Sequence, residues 1–191
     1  MEGNDGEFDV IARNVEKRFG ANRVLRGITL EVRRGETFVI LGPSGTGKSV
    51  FLKHLVGLVK PDAGEIIMLG RNIHALPHDE LLRLRRRIGM VFQGGALLNS
   101  LTVEENVALG LVENKLAPPE KVRGIVNEKL ALVGMKGTND RLPEEISGGM
   151  KKRVAVARTL ALGPEVILFD EPATGLDPVM SDNVDELILD L

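Results

Sequence analysis

The segment GPSGTGKS, from Gly42 to Ser49, combines glycines, a lysine and a hydroxyl residue at a spacing that suits phosphate binding. Glycines let backbone N–H groups turn inward around phosphate oxygens, and the start of the following helix also favours an anion. Lys48 is expected to reach the β- and γ-phosphates of a nucleotide, and the Ser49 hydroxyl to ligate Mg²⁺. The predicted phosphate-binding residues are Gly42, Pro43, Ser44, Gly45, Thr46, Gly47, Lys48, Ser49 and Val50.

A pair of acidic residues, Asp170 and Glu171, follows the apolar run VILF. A phosphate loop needs such a site for its metal, supplied from the carboxyl end of a neighbouring strand. Asp170 is expected to hold Mg²⁺ through water, and Glu171 to polarise a water that attacks the γ-phosphate. Taken alone, two acids after a strand indicate only a solvated strand end. The phosphate loop earlier in the chain favours the metal and catalytic roles.

The stretch EEISGGMKKRVAVAR, residues 144–158, begins a helix in an unusual way. Ser147 suits an N-cap, but Gly148 and Gly149 are poor residues inside a helix. Glycine N–H groups at the start of a helix can bind an anion, because no side chain blocks access to them. The tripeptide alone more often marks a simple turn before a helix, so both interpretations stand. The residues expected on a solvated face of this helix are Lys151, Lys152 and Arg153, and their place at its start leaves open a position near the nucleotide.

The elements that position these residues begin with strands. FDVIARNVEKRFG and RVLRGITLEVRRGE predict an antiparallel pair joined by the turn at 20–22. TFVILG, a continuous apolar run before the phosphate loop, predicts a strand buried on both faces, and SVFLKHLVGL predicts the helix after it. GEIIMLGRNI predicts a strand or hairpin arm, DELLRLRRR a short helix and IGMVFQ another buried strand.

A helix-rich stretch follows these strands. TVEENVALGLVEN, PEKVRGIVNEKLALVGM and GGMKKRVAVARTLALG all place apolar residues at three- and four-residue spacing, and VILFDEP returns to a buried strand. The helices from residue 100 to residue 158 are therefore expected to form a lobe inserted into an α/β core. One domain with two lobes is the predicted organisation.

Composition limits the classes of function. The net charge of -2 over 191 residues gives no overall basic field for nucleic acid. The sequence contains no cysteine, which excludes disulfides and thiolate metal sites. No apolar run approaches the roughly 18 residues of a membrane span. The histidines His54, His74 and His78 lack metal-ligand spacing and are expected on the surface or in packing.

Six motifs occur in the order typical of ABC transporter ATPase domains: Phe19, GPSGTGKS, VFQ ending at Gln93, ISGGM, FDEP and GLDP. The chain resembles that family over essentially its whole length. The resemblance implies a P-loop NTPase fold of the α/β class, with a RecA-like, mostly parallel sheet core, an N-terminal antiparallel β subdomain and an inserted ABC helical subdomain. It implies a single nucleotide-binding domain over 1–191, with its core at 1–93 and 160–191 and its helical subdomain at 94–159.

The resemblance also implies roles for single residues, with ATP and Mg²⁺ as the bound groups. Phe19 would stack on adenine, although a lone phenylalanine is more often a core aromatic. Gln93 would contact Mg²⁺ and the attacking water while sensing the transport partner. The residues implied in catalysis are Glu171, Gln93 and Lys48, and those implied in metal binding are Ser49, Gln93 and Asp170.

The signature ISGGM has a different implied role, because ABC ATPases clamp two ATP molecules head to tail between two chains. In such a homodimer Ser147, Gly148 and Gly149 would meet the γ-phosphate bound by the facing subunit. Asp177 would lie in the loop that crosses the dimer interface. The signature helix would thus complete the site of the other chain.

Two longer segments, IGMVFQGGALLNSLTVEENVALGL and ISGGMKKRVAVARTLAL, narrow the resemblance. They are similar to ATPase subunits of Mla and Mce-associated transporters, which move phospholipids or related lipids across the bacterial envelope. Met150 departs from the commonest signature, which has Gln there, and so loses a polar side chain near the nucleotide. Leu97, Leu98 and Leu101 would line a groove for a permease's coupling helix, although ordinary core packing explains each leucine equally well.

These similarities imply partners and a location. The partners would be a transmembrane permease, a second ATPase subunit and a periplasmic-side, lipid-binding Mce-type subunit, with no nucleic acid. The chain would be cytoplasmic and peripheral on the inner membrane. Two alternatives remain: an ABC transporter ATPase for another cargo, and a non-transport ABC ATPase of DNA repair or translation. A short separation between phosphate loop and signature, and a single domain, disfavour the second.

The resemblance finally predicts a switch histidine on a strand beyond FDEP. No histidine follows His78 in the chain. The chain is therefore expected to be C-terminally truncated, and ATP hydrolysis by this chain alone is expected to be impaired.

Overall fold

The computed structural model describes residues 7–172 together with Thr174, Glu186 and Ile188. The chain divides into two units, residues 1–85 and 86–191. In the described residues, the first unit holds a four-stranded antiparallel sheet and two helices, and the second holds a parallel strand pair and three helices. Each unit positions its own share of the predicted site residues.

The sheet of the first unit has the strand order β2-β1-β3-β4. Its strands are β1 (Phe8–Phe19), β2 (Asn22–Arg33), β3 (Ala63–Met68) and β4 (Arg71–Asn72). All neighbours are antiparallel, which confirms the predicted strand pair and hairpin. Successive side chains of a strand point to opposite faces of the sheet, and Val10, Ile11 and Ala12 on β1 are all at most 3% exposed, so both faces of the sheet are covered at this point.

A bulge at Asn14 sets the pairing of β1. The register of β1 shifts near Asn14 against both β2 and β3, and Asn14 has a φ of 49°. Opposite this bulge, a Cβ on Gly64 would lie 2.3 Å from the Asn14 carbonyl oxygen. Only glycine fits there, so Gly64 fixes where β3 can approach the bulged strand.

The two helices of this unit are α1 (Lys48–Leu55) and α2 (His78–Arg85), both in predicted segments. The segment TFVILG before α1 differs from its prediction, because residues 36–43 form no strand. Val39 is 67% exposed and Leu41 is 87% exposed. An apolar run supplies side chains to bury, but a strand also needs hydrogen-bonding neighbours, and none of the described strands pairs with this run.

The second unit contains the strands β5 (Ile88–Val91) and β6 (Val166–Phe169), which pair in parallel with Val91 opposite Phe169. Its helices are α3 (Val103–Glu113), α4 (Pro119–Leu132) and α5 (Gly148–Ala161), and all three pack against one another. These elements confirm the strands and helices predicted here. Their shared core consists mainly of aliphatic side chains, including Val103, Val107, Leu111, Val126, Leu130, Val154 and Val156.

Local capping explains where these helices begin. The Thr102 hydroxyl accepts a hydrogen bond from the Glu105 N–H, and the Glu105 carboxylate accepts one from the Thr102 N–H. This reciprocal pair satisfies two backbone donors at the start of α3. Proline at the first position of α4 removes a donor that would have no partner there.

Candidate functional site

The phosphate loop, residues 42–49, runs into α1 in the first unit, so that its last two residues, Lys48 and Ser49, form the start of the helix. Gly45 and Gly47 have φ values of 80° and 100°, a region that favours glycine, and Gly47 is the N-cap of α1. A Cβ on Gly47 would lie 2.8 Å from Val24 Cγ1, so a side chain is excluded on steric grounds as well. The loop therefore has the backbone geometry that a phosphate cradle requires.

The Lys48 side chain binds backbone carbonyl groups of this loop. Its Nζ donates hydrogen bonds to the carbonyl oxygens of Gly42 at 2.8 Å and Pro43 at 3.0 Å. The Thr46 hydroxyl donates to the Pro43 oxygen at 2.8 Å, which ties the loop to itself. An ammonium group, glycine N–H groups and the Ser49 hydroxyl are together the donor set that fits ATP with Mg²⁺.

Phe19 stands at the end of β1 and is 49% exposed. The alternative that it is a core aromatic is therefore wrong. Lys17 Nζ lies 5.5 Å from the ring centroid and is fixed by hydrogen bonds of 2.8 Å to the Lys60 carbonyl oxygen and to Asp62 Oδ1. A half-exposed ring suits stacking on a base, and the adenine role of Phe19 stays a prediction.

The second unit brings three predicted site residues together. Because β5 and β6 are parallel, Gln93 beyond β5 and Asp170 and Glu171 beyond β6 follow the same edge of the strand pair. The Gln93 amide donates a hydrogen bond to Glu171 Oε2 at 3.2 Å. Asp170 is 7% exposed, and its N–H donates to the Val91 carbonyl oxygen at 2.9 Å. A carboxylate and an amide are thus placed side by side next to a buried acid.

Glu171 has a φ of 48°, which is uncommon for a residue with a side chain. Thr174 forms a turn with it: the Thr174 N–H donates to the Glu171 carbonyl oxygen at 3.2 Å, and the Thr174 hydroxyl donates to Glu171 Oε2 at 3.1 Å. The turn and Gln93 together hold the carboxylate from two directions. Thr174 has no role in the sequence predictions, because one threonine after FDEP carries no pattern of its own.

The start of α5 has the predicted cap. Ser147 is the N-cap, and its hydroxyl accepts a hydrogen bond from the Met150 N–H at 3.2 Å. Gly148 is exposed, and a Cβ built on it would meet nothing within 4 Å. Gly149 is buried at the next position. The exposed helix start is open to a ligand, and its engagement with the nucleotide of a facing subunit stays a prediction.

The expectation for the basic cluster on α5 is wrong at Lys152, which is 8% exposed. Its Nζ donates a hydrogen bond to the Thr174 carbonyl oxygen at 2.6 Å. A signal was available in the sequence, because Gly149, Lys152, Val156 and Thr159 recur at three- and four-residue spacing and all are buried. The charge of a lysine favours solvent, but this periodicity places Lys152 on the buried face of the helix.

A second basic residue of α5, Arg158, holds the loop after Gln93. Its two terminal nitrogens donate to the carbonyl oxygens of Ala96 at 2.7 Å and Gly95 at 2.8 Å. Asn106, a buried residue of α3, holds the later part of the same loop: it accepts a hydrogen bond from the Leu98 N–H and donates to the carbonyl oxygens of Leu98 and Leu101. Sequence reasoning missed both anchors, because their partners are backbone carbonyl oxygens, which have no sequence signature, and those of Arg158 lie 62 and 63 residues away.

The leucines of this loop have different environments. Leu97 packs against the helical core, Leu101 is half-buried and Leu98 is 45% exposed. The core alternative therefore holds for Leu97, while Leu98 is available for a partner. Asp177 lies outside the described residues, so its predicted place at a dimer interface stays a prediction.

Two histidines pack against each other in the first unit. His54 is fully buried, with Nδ1 2.7 Å from the Val50 carbonyl oxygen, and its ring meets the half-buried ring of His74 edge to face at 6.3 Å between centroids. Burial lowers the pKa of His54, and burial together with the neighbouring His54 lowers the pKa of His74 to about 4. Both are neutral packing residues near pH 7, as expected, and His78 is exposed. In the described residues, no helix is long and apolar enough to cross a membrane.

Comparison with known proteins agrees with this arrangement. The family model described as "ABC transporter" matches residues 25–174. The probable ribonucleotide transport ATP-binding protein mkl of Mycobacterium tuberculosis is 45% identical over 190 residues, which cover 100% of this chain and 53% of that protein. The intermembrane phospholipid transport system ATP-binding protein MlaF of Haemophilus influenzae is 41% identical over 167 residues, covering 87% of this chain and 63% of that protein. The chain thus spans about half to two thirds of the length of these relatives.

The solved structures give the same result for the fold. The ATP-binding cassette MJ0796, solved as a dimer in a post-hydrolysis state bound to ADP and Pi, superposes with a TM-score of 0.84 at 35% identity, covering 94% of this chain and 81% of that one. The predicted P-loop NTPase fold of the α/β class, with an antiparallel β subdomain and a helical subdomain, is confirmed by this match. The chain belongs to the ABC transporter family and forms an ATP-binding domain of that family.

Proposed function

We propose that this chain is the ATP-binding and ATP-hydrolysing part of an ABC transporter subunit. The observation that carries the proposal is the hydrogen bond between Gln93 and Glu171, formed where two parallel strands end and next to the buried Asp170. A carboxylate oriented by an amide is suited to position a water for attack on a phosphate. The phosphate loop supplies the complementary feature, a glycine cradle closed by Lys48.

In this proposal the chain's own residues bind and orient the reactants. Lys48 exchanges the carbonyl oxygens of its loop for the β- and γ-phosphates of ATP. Ser49, Gln93 and Asp170 would hold Mg²⁺, which when bound neutralises charge that develops on the phosphate oxygens. Glu171 accepts a hydrogen bond from the attacking water and aligns it with the γ-phosphate.

We further propose the head-to-tail homodimer, in which Ser147 and the N–H groups of Gly148 and Gly149 engage ATP bound to the facing subunit. The exposed, capped start of α5 supports this role. Asp177 would lie at that interface. We also retain the division into one domain, with a core at 1–93 and 160–191 and a helical subdomain at 94–159.

For the cargo we propose phospholipid trafficking of the Mla or Mce type. The relative MlaF, whose name describes intermembrane phospholipid transport, supports this assignment. The partners would be a transmembrane permease and a lipid-binding Mce-type subunit, with the chain on the cytoplasmic face of the inner membrane. The exposed Leu98 in an anchored loop is the surface we expect the permease to use.

A different cargo is the second candidate, because the relative mkl carries a name that describes ribonucleotide transport. The two candidates share the ATP chemistry and differ in the complex that surrounds it. A non-transport role in DNA repair or translation would require a nucleic acid or ribosomal partner, and the net charge of -2 does not favour one.

The test of the ATPase proposal uses Lys48→Ala in the full-length protein. Removing the ammonium group is expected to weaken binding of a fluorescent ATP analogue and to abolish phosphate release. Lys53→Ala, an exposed lysine on the same helix, is the matched control and should behave as wild type. Unchanged ATP binding and turnover in Lys48→Ala would refute the proposal.

The cargo requires a separate experiment. The tagged full-length protein is purified gently from its native cell, and bound proteins and lipids are identified by mass spectrometry. Recovery of a permease with an Mce-type subunit and phospholipid supports the lipid assignment. Recovery of an unrelated permease, of ribosomes or of DNA-repair proteins would refute that assignment and leave the ATP site untouched.

A further inference from the structure

A buried lysine on α5 makes an unusual contact. Lys152 is 8% exposed, and its ammonium group donates a hydrogen bond to the Thr174 carbonyl oxygen at 2.6 Å. Burial lowers the pKa of this group, because the charged form loses solvation. Burying a charged group costs free energy unless the group is well paired, so a lysine on the buried face of α5 requires a reason.

Thr174 links this lysine to Glu171. The Thr174 N–H donates to the Glu171 carbonyl oxygen at 3.2 Å, and its hydroxyl donates to Glu171 Oε2 at 3.1 Å. The third polar group of Thr174, its carbonyl oxygen, is the one that Lys152 holds. Thr174 therefore links Lys152 to both the backbone and the carboxylate of Glu171.

The backbone of Glu171 needs such external support. Its φ of 48° lies in the left-handed region, where a side chain is disfavoured. Conformations of this kind persist only where surrounding contacts fix them. Gln93 meets the carboxylate itself, whereas the contact between Lys152 and Thr174 fixes the turn that carries it.

We propose that Lys152 is a positioning residue for ATP hydrolysis, which holds the turn at Thr174 so that the Glu171 carboxylate stays aligned with the attacking water. This inference rests on the proposed ATPase function. Lys152 also lies within the first two turns of α5, the helix that Ser147 caps. The signature helix is therefore connected through Lys152 and Thr174 to the Glu171 carboxylate of its own chain.

The experiment measures steady-state ATP hydrolysis by the full-length protein in four variants. Lys152→Met removes the donor and keeps the length of the side chain, and Thr174→Val removes the hydroxyl that reaches Glu171. The double variant tests whether both act through the same route. Lys151→Met is the control, because the Lys151 side chain is half-exposed and makes no hydrogen bond within the described residues.

We expect Lys152→Met to lower kcat about tenfold with the KM for ATP within about twofold of wild type, the pattern of a lost transition-state interaction. Thr174→Val should lower kcat severalfold, and the double variant should be no slower than the slower single variant. Lys151→Met should match wild type. A role of Lys152 in folding alone would lower the melting temperature without this separation of kcat from KM.

Three results would overturn the inference: wild-type kcat in Lys152→Met, equal losses in kcat and in ATP affinity, or losses that multiply in the double variant. If Lys152→Met fails to fold, Thr174→Val decides, since Thr174 is exposed and its hydroxyl is dispensable for the core. Unchanged kcat in that variant would also overturn it. Failure of the wild-type protein to hydrolyse ATP is a separate outcome, which refutes the proposed function itself.

Discussion

The phosphate loop and the turn around Glu171 are stabilised over different distances in the chain. Inside the loop, Lys48 bonds to Gly42 and Pro43, six and five residues away, and Thr46 bonds to Pro43, three residues away. Glu171 instead depends on Gln93, 78 residues away, and its turn depends on Lys152, 22 residues from Thr174. One region is organised mainly by its own sequence, and the other by packing of separate elements.

This difference has a functional consequence. A loop whose hydrogen bonds are internal keeps its shape when distant parts of the chain move. A carboxylate held by three separate elements loses its alignment when any one of them shifts, because a displacement of about 1 Å is enough to reduce catalysis strongly. Substrate binding is thus expected to be robust and hydrolysis to be easily regulated.

We call Glu171 and the residues that hold it, Gln93, Thr174 and Lys152, the distant-contact region. The largest effect should follow from removing the Glu171 carboxylate. Glu171→Gln keeps the shape of the side chain but removes its basicity, and a lost general base typically lowers kcat by about 100-fold or more. ATP binding should persist, because the phosphate loop is unchanged. Phosphate release and equilibrium binding of an ATP analogue measure the two quantities.

The control for this prediction is Glu144→Gln, an exposed acid ahead of α5 that should leave kcat unchanged. If Glu171→Gln retained more than a tenth of wild-type turnover, Glu171 would not be the residue that activates water. A parallel loss of ATP binding would show that the phosphate loop and the turn around Glu171 are not independent.

The phosphate loop approaches β2 closely at Gly47, and Gly47→Ala tests this approach. An added Cβ would meet Val24 Cγ1 at 2.8 Å on β2, and the φ of 100° is unfavourable for alanine. A strained backbone and a steric clash together should reduce the free energy of unfolding by about 2–3 kcal/mol and weaken ATP binding. Denaturant unfolding measures the first effect.

Gly45→Ala separates strain from clash. Gly45 has a φ of 80°, but a Cβ there meets nothing within 4 Å. Its cost should be limited to about 1 kcal/mol, the range of backbone strain alone. Equal destabilisation by the two variants would mean that the contact with β2 contributes nothing to the loop.

The same distinction explains how much could be predicted from the sequence. The phosphate loop, the Ser147 cap and the three helices of the second unit follow from spacing and periodicity, which are local properties. Asp170 and Glu171 are also identifiable, since they follow an apolar strand. What brings Gln93 to Glu171 is the parallel pairing of β5 with β6, which no local pattern encodes.

Two errors have a physical origin in this limit. TFVILG has the composition of a buried strand, but strand formation depends on neighbours elsewhere in the chain, and residues 36–43 have none among the described strands. Lysine is rarely buried, which predicts a solvent-exposed Lys152, whereas its position on the helix belongs to the buried face. The charge of Lys152 predicts the wrong face of α5, because its hydrogen-bond partner is the backbone carbonyl of Thr174, and a backbone carbonyl has no sequence signature.

Arg158→Leu should have a smaller effect than Glu171→Gln. The guanidinium holds the carbonyl oxygens of Gly95 and Ala96, and these residues have φ values of 72° and 47°. Without this anchor Gln93 should sample more positions, and kcat should fall about fivefold to tenfold, or about 1 kcal/mol in activation free energy. ATP binding should not change.

Arg123→Leu provides the control, because Arg123 lies on α4 and pairs only with the side chain of Glu104 among its described contacts. Wild-type kcat in Arg158→Leu would show that Gln93 keeps its place without the loop anchor. That outcome would narrow the distant-contact region to Glu171, Thr174 and Lys152.

The smallest effect concerns pH and asks whether α1, which follows the phosphate loop, also depends on a distant partner. His54 on α1 packs against His74, and the pKa of His74 is lowered to about 4, mainly by burial and by His54. The unfolded chain therefore binds more protons than the folded chain below about pH 6.5, and stability should fall as pH decreases from about 6.5 towards 4. We expect the free energy of unfolding to fall by on the order of 1 kcal/mol between pH 7 and 5.5, discounted for the partial exposure of His74.

His74→Phe should remove part of this dependence of stability on pH, and His78→Gln, at an exposed site, should remove none of it. Denaturant unfolding at each pH measures both variants. Identical slopes in His74→Phe and wild type would mean that the titration of His74 contributes nothing to the loss of stability at low pH.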